Sequence, residues 1–156
     1  MKFNIYFIFS FLLVQLSLAQ STKFEFGNIS EEEYNYTNVP FESDASAVIL
    51  SEYGELQMKN YGYVIKQHIR KKILKQDAIE GNILEFTYNP NNKYNRPKIN
   101  KVQVYNKINN EIIISKLNKA DIVEETVDEN TRRIVYAIPN IKVGYIIEYE
   151  TEDVRT

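Results

Sequence analysis

His68 is the only histidine in this chain, and it lies in a run of cations with Lys66, Arg70, Lys71, Lys72 and Lys75. A histidine can move protons near neutral pH, but general-base work needs a partner that fixes its tautomer and a nucleophile within reach. With no cysteine and no second histidine in the sequence, the usual constellations cannot be assembled. What the spacing offers instead is a surface. Lys66, His68, Arg70 and Lys72 recur at every second position, so on a strand they share one face and form a candidate binding surface for an anionic partner. The plainer reading is an exposed or edge strand whose lysines discourage edge-to-edge pairing, and it is the one favoured here.

Two acidic groups are the other candidates for chemistry. Glu31, Glu32 and Glu33 are consecutive, whereas calcium loops place their oxygens at alternate positions around a glycine turn. The run suits the start of a helix better. Asp121, Glu124, Glu125, Asp128 and Glu129 flank a predicted turn; carboxylates do acid–base work when a pocket pushes their pKa values apart, and a solvated hairpin end is expected instead. Twelve tyrosines without a tryptophan read as strand packing with hydroxyls at the wet rim, not as a sugar-stacking platform. The 19 basic and 21 acidic residues leave a net charge of −2, which is no footprint for a phosphate backbone, so nucleic acid is not an expected partner. No catalytic residue, metal or cofactor is assigned, and the chain is expected not to be an enzyme.

The elements that position these groups begin with a leader. Met1 and Lys2 precede an apolar run ending Ser17-Leu18-Ala19, the charged start, apolar middle and small-residue exit of a secretory signal peptide. At about sixteen residues the run falls short of the roughly 20 that span a bilayer. The expected layout is a signal peptide over 1–19, a short helix and loop lead-in over 20–43, and a β-rich domain over 44–156. The protein is expected to be exported, to the periplasm or an extracellular or outer-membrane site, with no stable membrane span after cleavage.

Ser30 with Glu33 three positions on has capping-box spacing, so a short helix is predicted there. Beyond Asp44 the period becomes two. Residues 46–50 lean to strand, with Gly54 expected to turn a hairpin into 56–58. Residues 61–74 alternate, with Tyr61, Tyr63, Ile65, Ile69 and Ile73 on an expected dry face and the cations, His68 included, on a wet one. Further strands are expected at 83–88, 102–108, 111–117, 120–127, 132–138 and 144–150. Asn109-Asn110 can take the positive φ of a tight hairpin; Pro139 and Gly144 mark the last turns. The core is expected from Tyr63, Ile65, Ile69, Val102, Val104, Ile146 and Tyr149. This is a mainly β chain, an antiparallel sheet or β-sandwich with one short N-terminal helix.

Three segments carry a resemblance: residues 44–55, with Ala47-Val48-Ile49-Leu50 and Gly54; residues 68–74, from His68 to Leu74; and residues 137–150, where Pro139, Asn140 and Gly144 enter an Ile-rich strand ending Glu148-Tyr149-Glu150. In this order and spacing the chain resembles the N-terminal β-rich domain of unknown function, DUF3857-type, of secreted bacterial transglutaminase-like proteins. The resemblance implies an accessory module that precedes a papain-fold domain, whose Cys/His/Asp residues have no counterpart here. Its expected partner is that domain or another envelope protein. Family members continue with more strands, so the domain is expected to be incomplete at its C-terminus. The alternative is a free-standing cell-envelope binding protein that contacts polysaccharide or an anionic surface.

Overall fold

The computed structural model describes residues 23–60, 62–80, 83–92, 94–117, 121–138 and 140–155. The expected signal peptide, Tyr61 and Pro139 lie outside them.

Among the described residues, eight antiparallel strands form two sheets. β1 (Ala47–Lys59), β2 (Gly62–Ile73), β4 (Lys98–Ile108), β5 (Glu111–Lys116) and β8 (Ile146–Arg155) make a five-stranded sheet in the order β1-β2-β8-β4-β5. β3 (Ile83–Tyr88), β6 (Ile122–Asp128) and β7 (Thr131–Ala137) make a three-stranded sheet in the order β3-β7-β6. Two short helices, α1 (Glu31–Asn35) and α2 (Asp77–Glu80), complete the elements among the described residues. The chain is mainly β, as its alternation predicts.

Local chemistry explains the turns. Asn109 and Asn110 adopt φ of 50° and 70° and close β4 onto β5 with Ile108 opposite Glu111, a conformation asparagine tolerates better than other side chains. Gly144, at φ 90°, reverses the chain into β8, where its N–H donates to the Ile73 carbonyl at 2.8 Å. Gly54 does not turn. It sits inside β1, opposite Gln67 of β2, because the continuous ladder with β2 carries the strand past it to a turn after Lys59.

The last strand lies in the middle of its sheet, with β2 on one side and β4 on the other. One face of this sheet packs on the three-stranded sheet. Ile73, Val104, Ile141 and Ile147 form one apolar cluster, and Leu84 and Ile134 meet Val102 and Tyr136 in another. Tyr149 and Ile138 touch both clusters and join them. Each such side chain contributes roughly 1.5–3 kcal/mol by leaving water. Of the expected core, Val102, Val104 and Ile146 are buried and Ile65, Ile69 and Tyr149 partly so, whereas Tyr63 is exposed at the sheet's end.

Candidate functional site

The opposite face of the five-stranded sheet corrects the expected wet face of β2. His68, Arg70 and Lys72 are only 1%, 2% and 2% exposed, and Lys66 alone keeps partial exposure. Alternation along a strand separates two faces but does not say which is covered, and here both are. As a surface for an outside anion, three of the four residues are already enclosed.

Their cover is the lead-in. Ser30 caps α1 through a complete capping box, its hydroxyl taking the Glu33 N–H while the Glu33 carboxylate takes the Ser30 N–H. This fixes Glu33 over β2, where its two oxygens accept from Arg70 Nη1 at 2.8 and 3.0 Å. Arg70 Nη2 reaches the Glu25 carbonyl at 3.0 Å and Glu148 Oε1 at 2.8 Å. Lys72 donates to the carbonyls of Glu33 and Tyr34, the carbonyl end of α1. Phe24 and Phe26 stack on the His68 ring, with centroids 3.8 and 5.3 Å away. Of the acids 31–33, Glu33 thus caps the helix and pairs with Arg70, and Glu31 pairs with Lys107 at 2.5 Å.

Glu148 of β8 is the centre, directly between Arg70 of β2 and Gln103 of β4, and it is fully buried. Its Oε1 accepts from Arg70 and faces His68 Nε2 at 2.8 Å, and its Oε2 takes the Gly27 N–H at 2.8 Å and lies 2.9 Å from the Tyr105 hydroxyl. Four contacts saturate one carboxylate. The two cations Arg70 and Lys72 stand against the two carboxylates of Glu33 and Glu148, the pairing that burial of charges requires.

Burial alone would push the Glu33 carboxyl up, but the Arg70 and Ser30 hydrogen bonds outweigh it and hold the group below its ordinary 4.5. Arg70 is likewise depressed by burial and raised on balance by Glu33 and Glu148. Burial, then the Glu148 contact, drives the Tyr105 phenol well above its ordinary range. Lys72 is lowered by burial.

Beside the cluster opens a cleft of ≈ 190 Å³ onto which His68, Tyr53, Lys66, Glu150 and the exposed Lys23 all look. Among the described residues no group of three or more His, Asp or Glu side chains is placed to hold a metal ion. The second acidic group does not converge on a pocket either. Glu124 pairs with Arg96 at 2.6 Å and Glu125 with Arg133 at 2.8 Å, and Asp128 caps the Asn130 N–H, all at the surface.

Sequence reading missed Glu148, Tyr105, Gly27 and the two phenylalanines. One signal for the first was present, since Glu148 stands alone between Ile146, Ile147 and Tyr149, where an inward position must find partners.

The family described as a domain of unknown function with a solved structure, DUF3857, matches residues 59–156. The chain belongs to this family. DUF3857 membership covers β2 through β8 and therefore the strands that carry His68, Arg70, Tyr105 and Glu148. The crystal structure of a "putative protease" from Parabacteroides distasonis is similar in fold, with a TM-score of 0.60 at 13% identity. That similarity covers 71% of this chain and 23% of the Parabacteroides chain. No curated protein matches. Among the described residues no helix is long and apolar enough to cross a membrane.

Proposed function

We propose that this DUF3857 chain is a non-catalytic, exported β-sandwich module that scaffolds or positions a neighbouring transglutaminase-like domain in the periplasm or beyond. The observation that carries the reading is the fold's occurrence as 23% of a longer solved chain, the proportion of a module and not of a whole enzyme. The inward arrangement of its polar groups supports it. Arg70, Lys72, Glu33 and Glu148 are spent on each other and on backbone carbonyls, holding the lead-in to the sheet. The alternative, an envelope binding protein working through the basic strand, loses His68, Arg70 and Lys72 to burial.

Contact with a neighbouring domain needs apolar surface, and edge strand β5 offers it, with Ile112, Ile113 and Ile114 about half exposed at 52%, 47% and 51%. Association in trans with a purified transglutaminase-like domain from the same genome, measured calorimetrically, tests the proposal. Binding that Ile113→Lys abolishes is the expected result. Hydrolysis of peptide or amide substrates by the chain alone, lost in His68→Ala, would refute the non-catalytic role; absent association would refute the scaffold.

A further inference from the structure

We propose that the cleft beside His68 is a binding site for a primary ammonium group. The argument begins with the proton on the imidazole. Glu148 is surrounded by the Arg70 guanidinium, the Gly27 N–H and the Tyr105 hydroxyl, and a carboxylate so placed takes donors only. His68 Nε2, 2.8 Å from Oε1, therefore carries a hydrogen, and an imidazole with that one ring proton presents a lone pair at Nδ1.

That lone pair is enclosed and unmet. Nδ1 is buried and has no hydrogen-bond partner among the described residues, a costly state for a polar atom. Glu148, on Nε2, does not line the cleft, whereas Glu150, whose Oε1 is 3.9 Å from Nδ1, does. Two acceptors cannot bond each other, and at that separation they are close enough to share one donor group. An ammonium supplies three N–H donors and the charge that Glu150 prefers.

The chain itself displays this chemistry at the mouth. Lys23 Nζ lies 3.3 Å from Glu150 Oε1 and 5.8 Å from the centroid of the Tyr53 ring, a carboxylate and an aromatic face around one ammonium. Its side chain is 52% exposed, so it caps the site and does not fill it. With Lys23 aside, Glu55, Glu150 and Glu152 face Lys66 in the cleft and Lys101 behind Glu150, a balance that still selects a cation. The volume of ≈ 190 Å³ admits a short alkyl chain behind the nitrogen. The ammonium can belong to a free amine or to a lysine side chain.

Nitrogen-15 spectra of the His68 ring test this on the full chain. Propylammonium is expected to move the Nδ1 resonance saturably, while tetramethylammonium, equal in charge but without N–H donors, leaves it in place. Lys23→Ala, at an exposed position, is expected to bind about threefold tighter or more by removing an internal competitor. Glu150→Gln is expected to weaken binding about tenfold or more by removing a charged acceptor. A response to Nα-acetyl-lysine amide, whose ε-ammonium is free, equal to that of propylammonium would assign the site to protein lysines; a response to propylammonium alone would assign it to free amines. An Nδ1 resonance unmoved in Lys23→Ala, or moved equally by tetramethylammonium, would overturn the proposal and leave a bound water as the atom's partner. Glu150→Gln is read only if its amide spectrum stays dispersed; the two-ligand comparison in Lys23→Ala decides the matter without it. The result stands or falls independently of any neighbouring domain.

Discussion

On one face of β8, Ile147 and Tyr149 join an apolar core against the second sheet; on the other, Glu148 is as deeply buried as Ile147 but holds a guanidinium, an imidazole, a phenol and a backbone N–H. The energetics of the two faces differ in kind. An apolar cluster loses stability in proportion to the atoms removed. A closed ionic cluster is all or none, since removing one member leaves the others desolvated and unpaired. The first face specifies that the sheets pack. The second specifies where the lead-in lies, because its partners, from the Glu25 carbonyl to Glu33, match one register only.

The widest separation is expected between substitutions at adjacent positions. Glu148→Ala removes the carboxylate that meets His68 Nε2 and the Gly27 N–H and one of the partners of Arg70 and Tyr105, and is expected to cost about 3–5 kcal/mol in urea unfolding, with faster hydrogen exchange at Gly27. Ile147→Val, on the other face, is expected to cost about 0.5–1.5 kcal/mol. Equal losses would mean that water reaches the ionic cluster and that the two faces are not distinct. Next in size is Gly27→Ala. Gly27 has φ 84° and an added Cβ would lie 3.5 Å from the Tyr105 hydroxyl, so a loss of about 1 kcal/mol is expected from backbone strain, visible as a lower melting temperature and loosened Phe24 and Phe26 resonances.

A pH profile sharpens the same contrast. Glu33 is held below its ordinary 4.5 in the folded chain, so the folded state binds the proton less readily than the unfolded one. Its contribution is fully present above about 4.5 and is lost as the pH falls from there through the folded value. Glu33→Gln is therefore expected to lower stability at neutral pH and to flatten the profile below about 4.5, measured by urea midpoints from pH 7 to 3. An unchanged acid limb would place the pH dependence elsewhere.

How much of this was legible in the sequence depends on the range of the interaction. The Asn109-Asn110 hairpin and the Ser30–Glu33 capping box were readable because their chemistry closes within four residues. The antiparallel β class followed from alternation. Gly54 misled because a glycine marks a turn only if the ladder permits one, and the ladder is set by the β2 partner. The burial of His68, Arg70 and Lys72 was hidden for a similar reason: their cover is Phe24, Phe26 and α1, some forty residues away in sequence, and local periodicity carries no such information.

The smallest expected effect concerns a strand that belongs to neither face. All six residues of β5 are exposed, its three consecutive isoleucines included, and one side of the strand has no partner among the described residues. Since Ile113 is half in water already, Ile113→Lys is expected to change unfolding free energy by no more than about 0.5 kcal/mol. The same substitution places a charge on an apolar sheet edge, the device by which edges resist pairing, so light scattering at rising concentration is expected to show less self-association. A stability loss above about 1 kcal/mol would show that β5 is packed as the two faces are, and the division between a buried sheet and an open edge would have to be redrawn.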